Sequence, residues 1–174
     1  MARRLPLKPN SITLIGFLVT AAASLIMQKN LFAGGVLILF AGFFDMLDGI
    51  TARVKNIQSR FGALLDSTLD RISDSMLLLS AAWIFVDAGS SAGVLMSAAA
   101  LIFSFSVSYI RARAEGLGIS CSIGFMERPE RIIVLAAGCM FDLLLTAVAA
   151  IAVLSVFTAA QRIVHVYHVI SDKG

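Results

Sequence analysis

Apolar runs of membrane-crossing length recur along the chain, separated by short polar breaks. A bilayer span needs about 20 mostly apolar residues. Runs of that kind fall at 11–28, 31–50, 62–86, 91–114, 129–142 and 143–168, the fifth being short. No linker, low-complexity tract or repeat period interrupts them. The pattern predicts an all-α polytopic membrane protein, with six transmembrane helices in one bundle and a single domain over residues 1–174. The opening segment 1–10, "MARRLPLKPN", followed by an apolar run, imitates a secretory signal. Five more spans follow, however, and "TAAAS" lies inside the first run rather than after it, so that run is read as an uncleaved helix.

Composition agrees with the pattern. Of 174 residues, 59% are hydrophobic and 14% charged, and the mean hydropathy of +0.91 is far above that of a soluble domain. The cationic side chains divide unevenly between the two ends of the spans. Arg3, Arg4, Lys8, Arg53, Lys55, Arg60, Arg111, Arg113, Arg128, Arg131, Arg162 and Lys173 fall on or beside the end that holds both termini, and Lys29 alone falls at the other. Basic loops stay inside, so both termini are expected in the cytoplasm. The net charge of +3 suits an anionic lipid surface and an anionic ligand equally. No nucleic-acid partner is expected. Cys121 and Cys139 have no metal-ligand spacing and are read as packing residues.

Against this background the stretch "FDMLDGITARVKNIQSRFGALLDSTLDRISD" stands out, because it holds five of the chain's eleven acids. An aspartate at the centre of a spanning helix costs about 2.5–3.5 kcal/mol even on a lenient scale. On a helix, Asp48 lies about 60° to one side of Asp45, Gly49 about 40° to the other and Ala52 about 20° away, so two carboxylates share a face with two minimal side chains. Gly62, Asp66 and Asp70 recur at i, i+4 and i+8 on the next helix. Opposed, the two faces would gather four carboxylates, which cannot all stay ionised without a cation. Hard oxygen ligands suit Mg²⁺, Mn²⁺ or Ca²⁺, and a formal charge of −4 is balanced by two divalent ions, the arrangement that activates phosphoryl chemistry. Single acids of this kind serve equally as helix caps or surface charges; four in phase with glycines and alanine do not. Asp74, about 80° round the helix from Asp66, is expected to pair with a nearby arginine.

The string Asp45-x2-Asp48-Gly49-x2-Ala52-Arg53-x8-Gly62-x3-Asp66-x3-Asp70 resembles, without a departure, the signature of the CDP-alcohol phosphotransferases. The resemblance implies a homodimer of six-helix subunits with a site open to the cytoplasm. It also implies a centre of two Mg²⁺ or Mn²⁺ ions on Asp45, Asp48, Asp66 and Asp70, with Asp70 serving in addition as general base. Asp48, Gly49, Ala52, Arg53 and Gly62 would line the place of the CDP-linked lipid, CDP-diacylglycerol or CDP-archaeol. "LKPNSIT" resembles the family's opening of the first helix, and there Asn10 and Thr13 would contact the nucleotide. The implied reaction displaces CMP from the lipid diphosphate by the hydroxyl of a small polar alcohol.

The second informative stretch is "SYIRARAEGLGISCSIGFMERPERIIVL". Arg111 and Arg113 lie about 160° apart on a helix, so at most one faces a cavity, and Arg111 is taken to be that one. Pro129 suits the first turn of a helix. Arg128 and Arg131 share a face there, and a helix N-terminus carrying two arginines is an anion site. The bland alternative is a salt bridge of Glu127 with Arg131 at i, i+4. "SYIRARAE" with "ERPER" looks like the branch of the family that uses inositol 1-phosphate, whose phosphate accounts for the additional arginines Arg111, Arg128 and Arg131. Glycerol 3-phosphate, inositol or serine remain as alternative acceptors. A divalent-cation transporter is the rival of a different class, since it too carries intramembrane aspartates. Its acids would sit near the midplane rather than flank a basic loop.

Overall fold

The structure is a computed structural model that describes residues 9–55 and 59–171, with side chains over 11–46 and 59–171. Six helices are formed among them: α1 (Pro9–Ile26), α2 (Leu31–Lys55), α3 (Arg60–Asp87), α4 (Ser91–Gly116), α5 (Arg128–Met140) and α6 (Leu144–Ser171). Each predicted run is recovered. α2 continues past the predicted end at residue 50, because a helix supplies its own backbone hydrogen bonds whether lipid or water surrounds it. α5 stops two residues early, at a turn in which Asp142 takes a positive φ of 57°.

The helix ends carry local signals. The Asn30 side chain accepts the Ala33 N–H at 2.9 Å ahead of α2, and the Ser59 and Ser90 hydroxyls accept the N–H groups of Gly62 and Gly93 ahead of α3 and α4. Each satisfies a donor that the first helical turn leaves free. Pro129 occupies the first turn of α5, where its missing N–H costs nothing.

Packing closes the six helices into a ring in the order α1, α2, α5, α6, α4, α3 and back to α1, and α3 touches α6 across the middle. The side chains sort as lipid would sort them. Phe32, Trp83, Leu95, Ile102, Phe157 and Tyr167 face outward, whereas Ala23, Ala81, Ala100, Ala136, Val148 and Ser155 are wholly buried. In a bilayer, contact between helices rests on close approach of small residues more than on expulsion of water. Gly35 shows the need: a Cβ there would lie 2.7 Å from Met140 Cγ and 2.8 Å from the Ala136 carbonyl oxygen, so α2 and α5 meet backbone to backbone. Gly42 approaches α5 as well, with its would-be Cβ 3.2 Å from Ile132. Both cysteines are free and buried.

Helix lengths place the chemistry in depth. α4 and α6, with 26 and 28 residues, are long and apolar enough to cross a bilayer. α5, with 13 residues, rises only about 20 Å. Its N-terminus lies against the middle of α3, where Arg131 and Arg128 meet Asp74, and the loop 117–127 leads into it. α6 holds that loop. The Thr158 hydroxyl accepts the Met126 N–H at 3.1 Å, Arg162 Nε donates to the Ile123 carbonyl at 2.8 Å, and His165 Nε2 lies 3.2 Å from the Ser120 carbonyl. Gly124, at φ 125°, lets the loop lie flat on α6, for a Cβ there would meet Thr158 Cγ2 at 2.3 Å.

Candidate active site

At the end of the ring where α1 begins and α6 ends, α2 and α3 present acids and α5 presents its N-terminal arginines. Carboxylate oxygens of Asp45, Asp66 and Asp70 all lie within 4.8 Å of one another. An ion with metal–oxygen distances of about 2.0–2.6 Å spaces its ligands at most about 4–5 Å apart, so one hard divalent cation fits the three. Asp66 adds a second indication: its Oδ1 is buried and has no hydrogen-bond partner. A carboxylate oxygen left so is costly unless a cation meets it. Asp70 is four residues beyond Asp66, one turn deeper along α3. Gly62 lies one turn before Asp66, in the first turn of the helix.

The positive charge present in the cluster is Arg128. Its Nη1 pairs with Asp45 Oδ2 and lies 3.0 Å from Asp70 Oδ1. Its Nε faces Asp74 Oδ1 at 3.5 Å, ion-pair distance but too long for a hydrogen bond, and both atoms are buried without a hydrogen-bond partner. Asp74 meets the expectation of an arginine partner: its Oδ2 accepts from Arg131 Nη2 at 2.8 Å and from Arg131 Nε at 3.3 Å. Arg131 Nη1 donates to the Met126 carbonyl at 3.2 Å. Burying the Asp74–Arg131 pair is tolerable because it is paired and hydrogen-bonded at once.

Beside the acids opens a cavity of about 420 Å³ into which Arg71, Arg111, Arg128, Arg131 and Arg162 converge, with Glu127 at its wall. Arg111 lines it and Arg113 does not, as the 160° separation requires. Glu127 does not pair with Arg131. As the N-cap of α5 it stands outside the helical turns to which i, i+4 pairing applies, and the Arg131 guanidinium is turned to Asp74. Its Oε1 instead takes Arg162 Nη2 at 2.6 Å and Arg111 Nη1 at 3.4 Å.

Arg162 and Arg71 are the cavity residues that sequence reasoning passed over. Arg162 is buried at 2% exposure and donates also to the Val107 carbonyl at 2.8 Å, so it joins α4, α6, the loop and the N-cap of α5. The signal that marks it is an arginine inside the apolar sixth span, where a charge is expensive and faces the bundle interior. Thr13 is buried on α1. Asn10, Asp48, Gly49, Ala52 and Arg53 lie outside the described residues as far as their side chains are concerned.

Chemically, a carboxylate cluster that one hard cation fits and an arginine-lined cavity stand side by side, joined by Arg128. Such a pair suits two phosphorylated reactants, one held by metal and one by guanidinium groups. The CDP-alcohol phosphatidyltransferase family profile matches residues 7–170. An archaetidylinositol phosphate synthase of Methanothermobacter thermautotrophicus is 41% identical over 174 residues, covering 96% of this chain and 87% of its own. The crystal structure of Mycobacterium tuberculosis phosphatidylinositol phosphate synthase with CDP-DAG bound superposes with a TM-score of 0.86 at 36% identity, over 95% of this chain and 91% of that one. The same enzyme in complex with manganese and citrate gives a TM-score of 0.83 at 36% identity, over 95% and 87%.

Proposed function

The chain belongs to the CDP-alcohol phosphatidyltransferase family, and from that premise we propose that it transfers the phosphatidyl or archaetidyl group of a CDP-linked lipid to inositol 1-phosphate. The acceptor hydroxyl oxygen attacks the lipid-bearing phosphorus, the bond from that phosphorus to the CMP oxygen breaks, and CMP leaves. The observation that carries the acceptor is the cavity with five arginines directly beside Asp45, Asp66 and Asp70. Inositol, an uncharged polyol, offers these guanidinium groups no anion, whereas a phosphate monoester offers one with two negative charges and three acceptor oxygens. The named relatives support the same reading.

Asp45, Asp48, Asp66 and Asp70 hold the metal, Mg²⁺ or Mn²⁺ and two ions by their formal charge. Metal on this site neutralises the diphosphate and polarises the bond to the leaving CMP. Asp70 accepts the proton of the acceptor hydroxyl; a carboxylate within hydrogen-bond reach contributes about 10²–10⁴-fold to such a step. Gly49, Ala52 and Gly62 leave room for the nucleotide, Arg53 stands beside its diphosphate, and Asn10 and Thr13 contact it from α1. Arg111, Arg128 and Arg131, joined by Arg162, take the acceptor phosphate. The enzyme works as a homodimer with termini and site in the cytoplasm, where the cationic side chains gather.

An acceptor panel tests the assignment. CMP release with CDP-diacylglycerol and CDP-archaeol is scored against inositol 1-phosphate, inositol, glycerol 3-phosphate and serine, with and without chelator. Inositol 1-phosphate is expected to give the highest kcat/KM and chelator to abolish release. A preference for unphosphorylated inositol or serine overturns the acceptor, and metal transport without CMP release would point to the rival class.

A further inference from the structure

Asp74 sits at the middle of α3, 14 residues from Arg60 and 13 from Asp87, and only 9% of it is exposed. Below it the bundle is apolar: a void of only about 10 Å³ lies between the Asp74–Arg131 pair and Leu77, Leu78, Ile132, Leu135 and Ile151. Above it stand the two arginines at the start of α5, and both also line the 420 Å³ cavity. One oxygen of Asp74 engages Arg131 through two nitrogens, and the other faces Arg128 Nε at 3.5 Å. A pair kept only for stability is a poor use of a buried carboxylate, since apolar residues of like volume serve as well or better. A carboxylate facing two arginines does something packing cannot: it fixes the plane and rotation of the Arg131 fork through two hydrogen bonds and sets its second oxygen, by charge alone, against Arg128 Nε. Arg131 has five N–H donors and spends three, two on Asp74 and one on the Met126 carbonyl. The remaining two are thereby oriented, and the cavity is the polar space that Arg131 borders.

We propose that Asp74 is the positioning residue of the acceptor site, holding the Arg131 and Arg128 guanidinium groups at the floor of the cavity so that they meet the phosphate of a phosphorylated alcohol. The proposal rests on the reading that this cavity takes the acceptor phosphate. Asp74 stands one helical turn beyond Asp70 on the same stripe. A single face of α3 thus carries carboxylates for the metal at one level and, through Asp74, orients the acceptor arginines at the next. The distance between the two phosphorylated reactants is set by one helix.

The test compares Asp74→Asn, Asp74→Glu and Arg131→Gln in the full-length protein in lipid nanodiscs, with inositol 1-phosphate as acceptor. Mn²⁺ binding is followed by electron paramagnetic resonance and unfolding by thermal melting. Asp74→Asn is expected to raise the KM for inositol 1-phosphate at least tenfold, while the KM for CDP-lipid and the Kd for Mn²⁺ move less than threefold. Asp74→Glu, which keeps the charge, is expected to recover a large part of the acceptor KM. If Asp74→Asn is not obtained folded, Asp74→Glu carries the test, because a carboxylate displaced by one methylene should still raise the acceptor KM selectively. An acceptor KM unchanged in the Asp74 variants but raised in Arg131→Gln refutes the positioning role and leaves the acceptor site standing. An acceptor KM unchanged in all three refutes the acceptor reading itself. A loss spread evenly over acceptor KM, lipid KM and Mn²⁺ affinity makes Asp74 a packing residue and overturns the proposal.

Discussion

Arg128 lies where a metal ion would exert its charge, and the two should compete. The perturbation is Arg128→Gln, which keeps length and hydrogen-bonding capacity but removes the cation. At the 3.0 Å separation of Nη1 from Asp70 Oδ1, Coulomb attraction at an effective dielectric of about 20 amounts to about 5–6 kcal/mol. Most of that is returned as desolvation, and a hydrogen bond to a charged group nets about 1.5–3 kcal/mol. Metal entering the cluster must displace that contact or share the carboxylates with it. With 1.4 kcal/mol per factor of ten, Arg128→Gln should tighten Mn²⁺ binding by about 10- to 100-fold in the absence of lipid and acceptor. Titration of Mn²⁺ into the detergent-purified protein, followed by electron paramagnetic resonance, measures this. Arg111→Gln is the control, because Arg111 pairs with Glu115 and Glu127 and not with the metal carboxylates; it should shift the Kd less than threefold. A Kd that is unchanged or weaker in Arg128→Gln would mean that Arg128 supports the acids in their metal-binding arrangement, and the competition argued here would be wrong.

Asp70→Asn should lower kcat by about 10²–10⁴-fold while leaving CDP-lipid affinity within a few-fold, whereas Asp66→Asn should weaken metal and CDP-lipid binding together; isothermal titration in Mg²⁺ separates the two, and equal loss of lipid affinity in both variants would refute the division of roles. Arg162→Leu should destabilise the bundle by about 2–6 kcal/mol, since the Ile123 and Val107 carbonyls each lose their arginine donor at about 1–3 kcal/mol apiece. A melting temperature in detergent within 1–2 °C (roughly) of the parent, for so large an expected loss, would show that the loop does not depend on it. A cysteine introduced at Ser90 should react with an impermeant reagent added to intact cells and one at Gln58 should not; the reverse pattern would invert the topology.

The number of helices, their approximate ends and the stripe Asp66–Asp70 could be read from the chain alone, because apolar run length and helical periodicity are local properties of sequence. The same holds for Arg111 over Arg113, a matter of angle within one helix. Periodicity names a face and says nothing of what the face meets. The ring order that sets α5 between α2 and α6, and α3 between α1 and α4, follows from close approaches such as Gly35 on Ala136 and Met140, which only the packed bundle brings together. The pairs that build the cavity, Asp74 with Arg131 and Glu127 with Arg162, join residues 57 and 35 positions apart. A local i, i+4 rule offered Glu127 with Arg131 instead, and it failed because Glu127 is the N-cap, outside the helical turns, and each of the two residues meets a stronger partner from another helix, Arg162 and Asp74. The depth of the arginines was likewise decided in three dimensions: a 13-residue helix cannot cross the bilayer alone, so its charged N-terminus is drawn into the bundle, within reach of acids that the sequence had already aligned on α3.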